Sequence, residues 1–125
     1  MARLEHVNVT VTDPAATAEM LADLFGWRIR WQGAAKLGGH TIHVGDESSY
    51  LALYTPPDGT AKAPESYDAR AGLNHVGVLV DDLDAVEARV KARRLVPHSH
   101  ADYEPGRRFY FHDADGIEWE VVSYA

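Results

Sequence analysis

Two histidines and one glutamate carry the chemistry that this sequence is expected to perform. His6 lies in Leu4-Glu5-His6-Val7-Asn8-Val9-Thr10-Val11-Thr12-Asp13 and His75 in Leu73-Asn74-His75-Val76-Gly77-Val78-Leu79-Val80-Asp81-Asp82. The leucine, the histidine and three valines recur in step, which marks a weak internal repeat. Side chains of a strand alternate between its faces, so Val7, Val9 and Val11 share one face and His6, Asn8 and Thr10 the other. His75 likewise stands opposite Val76, Val78 and Val80. In Gly116-Ile117-Glu118-Trp119-Glu120-Val121-Val122 the same period sends Ile117, Trp119 and Val121 to the core and sets Glu118 and Glu120 on the histidine face. Taken singly, either histidine reads as a partly buried structural residue and each glutamate as a solvated one. Taken together they read differently. If a pseudo-twofold axis relates the repeats, equivalent slots meet near it, and two neutral imidazoles with one carboxylate form a donor set for a divalent cation. The chain has no cysteine, so any metal must be held by histidines and carboxylates, without thiolates or disulfides.

The elements that must position these residues follow from punctuation and period. Asp13-Pro14 is an N-cap followed by proline at the first helical position, and Ala18, Leu21, Leu24 and Phe25 fall on one stripe before Gly26, which predicts a helix over 14–25. Asp82 caps a second helix, with Leu83, Val86 and Val90 at helical spacing up to Arg94. After each helix come short β-like runs, 27–32, 40–44 and 50–54 in the first half and 95–98, 108–112 and 118–122 in the second. Gly38-Gly39, Gly45-Asp46, Pro105-Gly106 and Asp115-Gly116 separate them as turns. The expected fold is α+β, two βαβββ modules with pseudo-twofold symmetry that form a half-barrel cavity for a metal and substrate. Module one covers about 2–55 and module two about 72–125, joined by a Pro-, Gly- and Ala-rich linker over about 56–71, in one domain. Neither four-stranded sheet with one helix is expected to be stable alone, because its other face is uncovered.

Composition excludes several classes. Nineteen acidic residues against twelve Lys and Arg give a net charge of -7, which runs against binding a phosphate backbone, so nucleic acid is not an expected partner. The first residues include Glu5, His6 and Asp13 rather than an apolar stretch, and no segment approaches the roughly eighteen apolar residues of a membrane helix, so a cytoplasmic location and no membrane contact are expected.

At this point the residues resemble a known family, the vicinal oxygen chelate superfamily, also called the glyoxalase/bleomycin resistance/dioxygenase fold. The resemblance runs from Leu4-Glu5-His6-Val7 to Asp113-Ala114-Asp115-Gly116-Ile117-Glu118-Trp119-Glu120, which is similar to the family's closing Asp-Pro-Asp-Gly…Glu segment with Ala114 in place of proline. It implies a divalent metal on His6, His75 and Glu120, a small-molecule substrate and a homodimer, with modules paired within or between chains. One departure matters. Glyoxalase I and methylmalonyl-CoA epimerase supply a fourth ligand from the last strand of the first module, and here alignment puts Ala52 in that slot. Three ligands with open positions are the pattern associated with non-haem Fe(II) oxygenases, so Fe(II) or Mn(II) and a ring-cleavage-type dioxygenase lead, with Zn, Ni or Co and a glyoxalase-type lyase or isomerase as the alternative.

The resemblance also implies an active-site role for Tyr110, which otherwise reads as an aromatic filling the core. The fosfomycin branch carries a lysine where His100 stands and an arginine after its final glutamate, which has no counterpart after Glu120, so fosfomycin is a poor substrate expectation. Arg107 and Arg108, placed on a turn, either reach a substrate carboxylate or are solvated. Tyr50 and Tyr54 share the face of Ala52 and either line the cavity or pack; Glu118 is a candidate substrate contact or a stand-in for the missing ligand. His98-x-His100 and His40-x-x-His43 have ligand-like spacing without a third donor nearby. Asp113 and Asp115 read as turn residues bonding their own backbone. A second function class is a metal-free protein that sequesters a drug or metabolite, as the bleomycin-resistance branch does.

Overall fold

Strand, helix and then three strands recur in each half of the computed structural model, which describes residues 1–125. The first half holds β1 (His6–Thr10), α1 (Pro14–Phe25), β2 (Arg28–Ala34), β3 (His40–Gly45) and β4 (Tyr50–Thr55). The second holds β5 (Val76–Leu79), α2 (Leu83–Ala92), β6 (His98–Tyr103), β7 (Gly106–His112) and β8 (Glu118–Ser123). The chain divides into two compact units, Met1–Lys62 and Ala63–Ala125. The sheets run β1-β4-β3-β2 and β5-β8-β7-β6. In each, the helical crossover carries the chain to the far edge, and two antiparallel hairpins bring it back until the last strand lies parallel to the first. The architecture is α+β, two βαβββ modules, as expected. Neither helix is long and apolar enough to cross a membrane.

Local signals act where expected. Asp13 accepts hydrogen bonds from the amides of Ala15 and Ala16, at 3.1 and 3.2 Å, and Gly26 closes α1 in the left-handed conformation at φ 71°. Asp82 caps α2 through the Ala85 amide at 3.0 Å. α1 lies against β3 and β4, burying Ala18, Leu21 and Leu24 on Ile42, Val44, Leu51 and Leu53. The edge strand β1 is left partly uncovered, so Val11 is buried but Val7, on the same face, is exposed. The core of the second unit is more aromatic: Phe109, Phe111 and Trp119 are fully buried beside Val86, Val90 and Val121.

Two expectations are corrected. The strand expected over 95–98 is found at His98–Tyr103, because Pro97 has no amide proton for a ladder and Arg94, at φ 64°, turns the chain out of α2. Arg107 and Arg108 lie inside β7 rather than on a turn.

The Asp113 turn sets β7 against β8. Its Oδ1 accepts from the amides of Asp115 (2.9 Å) and Ile117 (3.0 Å), and its Oδ2 accepts from Trp119 Nε1 (3.0 Å). Burial nevertheless raises the pKa of this carboxyl. Asp113→Ala strands three donors, one of them the buried indole, and is expected to cost about 2–4 kcal/mol in urea unfolding, with Asp113→Asn recovering part by keeping the two backbone contacts.

Candidate metal centre

Register builds one face of the second unit. Gly77 on β5 is level with Glu120 on β8, and Tyr110 and His112 on β7 are level with Glu120 and Glu118. Alternation therefore gathers Arg108, Tyr110, His112, Glu118 and Glu120 on the face away from the buried Phe109, Phe111, Trp119 and Val121. His75, just before β5, sits between the two glutamates: Nδ1 is 3.2 Å from Glu118 Oε2 and Nε2 is 3.1 Å from Glu120 Oε1. Tyr67 supports it, with its hydroxyl 3.1 Å from His75 Nδ1 and donating to Glu118 Oε2. That bond pushes the phenol's pKa up to about 12. Glu118 also lies 3.5 Å from His112 Nε2, and His112 Nδ1 is 3.1 Å from His98 Nε2. Glu120 Oε2 accepts from Arg108 Nη1 at 2.7 Å, and both side chains are nearly buried. The Tyr110 ring meets His75 edge-on with centroids 5.6 Å apart. Burial, and then the charge of Glu120, raises its phenol's pKa, so it is a proton donor at neutral pH.

The first unit presents a different face on the same frame. His6 is level with Tyr50 and Asn8 with Ala52, so Tyr50 holds the slot of Glu118 and Ala52 that of Glu120. His6 Nδ1 is 2.7 Å from Glu5 Oε1, and this contact lowers the glutamate's pKa. Tyr50 donates to the same oxygen at 3.3 Å. Rings then tile the sheet: His6 on Tyr50 at 5.0 Å, Tyr50 on His43 at 4.5 Å and His43 by Trp31 at 5.1 Å. The Arg30 guanidinium lies 4.6 Å above the Tyr50 ring. Tyr54 points elsewhere and donates to the Lys36 carbonyl at 2.8 Å. Ala52, buried, offers no donor atom.

Of the sequence-derived ligands, His75 and Glu120 meet, while no three His, Asp or Glu side chains are grouped to hold a cation. His6 stands in the other unit. The donors that are present suit a divalent ion. A carboxylate only accepts, so Glu5 and Glu118 each take a hydrogen from the Nδ1 they face, and the Nε2 of each ring, which in His75 faces Glu120, is the atom that would hold a cation. The 3.1 Å between His75 Nε2 and Glu120 Oε1 matches the span of two adjacent ligands each about 2.1 Å from one cation. Glu118 is thus the orienting partner of His75, and Arg108 directs its fork to Glu120 and the Gly106 carbonyl. Sequence reasoning missed Tyr67, which lies in the linker, and Glu5, whose signal was its place beside His6. It also missed Arg108 as a partner of Glu120, although strand parity with Tyr110 carried that information.

The comparisons with known proteins fall on this geometry. The family profile described as Glyoxalase/Bleomycin resistance protein/Dioxygenase superfamily matches residues 3–121. The chain belongs to that superfamily. Among its relatives is the uncharacterized protein YaeR of Escherichia coli (strain K12), 23% identical over 97% of this chain and 95% of that one. Among solved folds, the antibiotic binding protein TnmS3 from Streptomyces sp. CB03234 is 19% identical, covering 100% of this chain and 98% of that one, with a TM-score of 0.76. A mutant of the fosfomycin resistance protein FosX from Listeria monocytogenes, complexed with Mn(II) and a dihydroxypropylphosphonic acid, is 18% identical over 98% of this chain and 92% of that one, with a TM-score of 0.75. At these identities the structural likeness concerns the fold. Within the superfamily this chain combines a carboxylate-bearing second module with a first module whose equivalent slots are aromatic and aliphatic.

His43 gives the site face a measurable pH signature. Burial first, then the charges of His6 and Arg30, lower its pKa below 6.5. The unfolded chain therefore takes up a proton that the folded chain refuses, and stability present above about pH 6.5 is lost as the pH falls through the folded value. Urea unfolding at about pH 7.5 and pH 5 is expected to show this loss, and His43→Gln is expected to reduce it.

Proposed function

We propose that the protein is a divalent-metal-dependent enzyme acting on a small molecule with vicinal oxygens, its cation held by His6, His75 and Glu120. The observation that carries this reading is the matched pair of histidines, each with Nδ1 tied to a carboxylate, one of them facing Glu120 through Nε2. When bound, the cation supplies Lewis acidity toward two adjacent substrate oxygens. The chain's own residues do the rest. Glu118 and Tyr67 fix the tautomer and orientation of His75. Tyr110, protonated at neutral pH, donates a hydrogen bond to a substrate oxygen beside His75. Tyr50 contributes a ring for an apolar part of the substrate. With Ala52 in place of a fourth ligand, Fe(II) or Mn(II) and ring-cleavage-type dioxygenation are preferred over a lyase or isomerase using Zn, Ni or Co. The working form is a cytoplasmic homodimer.

A second reading, a metal-free binder of a drug or metabolite, is favoured by one observation: Arg108 already neutralises Glu120. Likeness in fold to an antibiotic binding protein agrees with it.

Elemental analysis of protein purified without a tag or added metal decides between them. The enzyme reading expects about one Fe or Mn per chain, lost in His6→Ala and in Glu120→Ala. Absence of metal after reconstitution, with stoichiometric ligand capture, establishes the binder. On the enzyme reading Glu118→Gln, which keeps the ligands but weakens the hold on His75, lowers metal affinity by about 10- to 100-fold in a chelator competition.

A further inference from the structure

The guanidinium of Arg108 stands where a metal's charge would be needed. Glu120 has two oxygens, and each is already engaged: Oε2 by Arg108 Nη1 at 2.7 Å and Oε1 by His75 Nε2 at 3.1 Å. Arg108 is held firmly, with 11% of its side chain exposed, its Nη2 on the Gly106 carbonyl and its guanidinium 4.8 Å from the Tyr103 ring centre. Its buried Nε has no partner. A buried N–H without a partner is destabilising, so Arg108 holds this position at a cost that its bond to Glu120 must offset. The first unit supplies an internal control. There the slot of Arg108, level with Tyr54 as Arg108 is with Val122, holds Thr41, and the slot of Glu120 holds Ala52. Where the carboxylate is absent, so is the arginine.

We infer that Arg108 is a built-in competitor of the divalent cation: it holds Glu120 in the metal-free protein and sets how tightly metal is bound. The inference rests on the reading of His75 and Glu120 as ligands. A cation held by these two residues would displace the contact between Nε2 and Oε1 and share one carboxylate with a fixed positive charge. The resulting penalty raises the concentration that any divalent ion needs to occupy the site.

The experiment titrates the purified full chain with Mn(II), reading free ion by electron paramagnetic resonance, and follows thermal unfolding with and without the ion. Arg108→Met, which keeps length and apolar contact but removes the charge, is expected to bind Mn(II) at least about tenfold more tightly than the wild-type protein. Without metal it is expected to unfold at a lower temperature and to recover when Mn(II) is added. Arg108→Lys keeps a positive charge without the fork and is expected to fold and to bind with intermediate affinity. Mn(II) affinity that is equal or weaker in both variants overturns the inference. His75→Ala separates the two levels of the argument. If it loses Mn(II) while the Arg108 variants match the wild type, the ligand reading stands and the competitor falls. If it binds Mn(II) as the wild type does, or if neither the wild type nor Arg108→Met binds, the ligand reading and the inference fall together.

Discussion

Glu118 and Glu120 are two residues apart on one strand, and the alternation of β structure obliges both to face the same way. Two carboxylates on one partly buried face repel each other and must be matched by positive charge or hydrogen-bond donors. The surrounding structure answers that requirement. His75 lies between them, Arg108 closes on the outer oxygen of Glu120, and Tyr67 and His112 attend Glu118. These four donors come from three stretches of chain: His75 from the approach to β5, Arg108 and His112 from β7, and Tyr67 from the start of the second unit. The pair of glutamates thus organises side chains that no local sequence rule would bring together.

The first unit shows what the same frame does without that constraint. Its slots for the two carboxylates hold Tyr50 and Ala52, and the face becomes a tiled surface of His6, Tyr50, His43 and Trp31 with Arg30 above it. The core below has changed in the opposite sense, aliphatic in the first unit and aromatic in the second. Repetition of βαβββ has conserved the backbone frame and the histidine while the chemistry of the two faces has diverged. One face is charged and the other aromatic, although the backbone pairing beneath them is the same.

Much of this was legible in the sequence because it depends on local rules. The caps at Asp13 and Asp82, the period-two runs around His6, His75 and Glu120, and the Asp113 turn each act over a few residues, and each formed as expected. What was not legible depends on distance or on competition. Tyr67 lies in a Pro- and Ala-rich stretch with no period to read, and only the folded chain brings it to Glu118. Arg108 follows another arginine after Pro105-Gly106, a context that reads as a turn; strand pairing of β7 with β8 overrides it and directs the two arginines to opposite faces, Arg107 to Asp84 and Arg108 to Glu120. β6 moved because Pro97 cannot donate to a ladder, whatever the apolar character of Leu95 and Val96. Val7 has the parity of a core residue but lies on an edge strand beyond the cover of α1.

The bond from Trp119 to Asp113 has a meaning beyond the stability of a turn. A hairpin that pairs one residue out of step turns every side chain of the strand over. In β8 such a slip would drive Glu118 and Glu120 into a core of Phe109 and Phe111 and expel Trp119. The indole reaches Asp113 Oδ2 only from the core side, in the native pairing. The turn therefore proofreads the strand that follows it: a misaligned β8 loses its anchor at the moment its charges become buried, so the alignment that keeps both glutamates on the face away from the core is also the one that folding can complete.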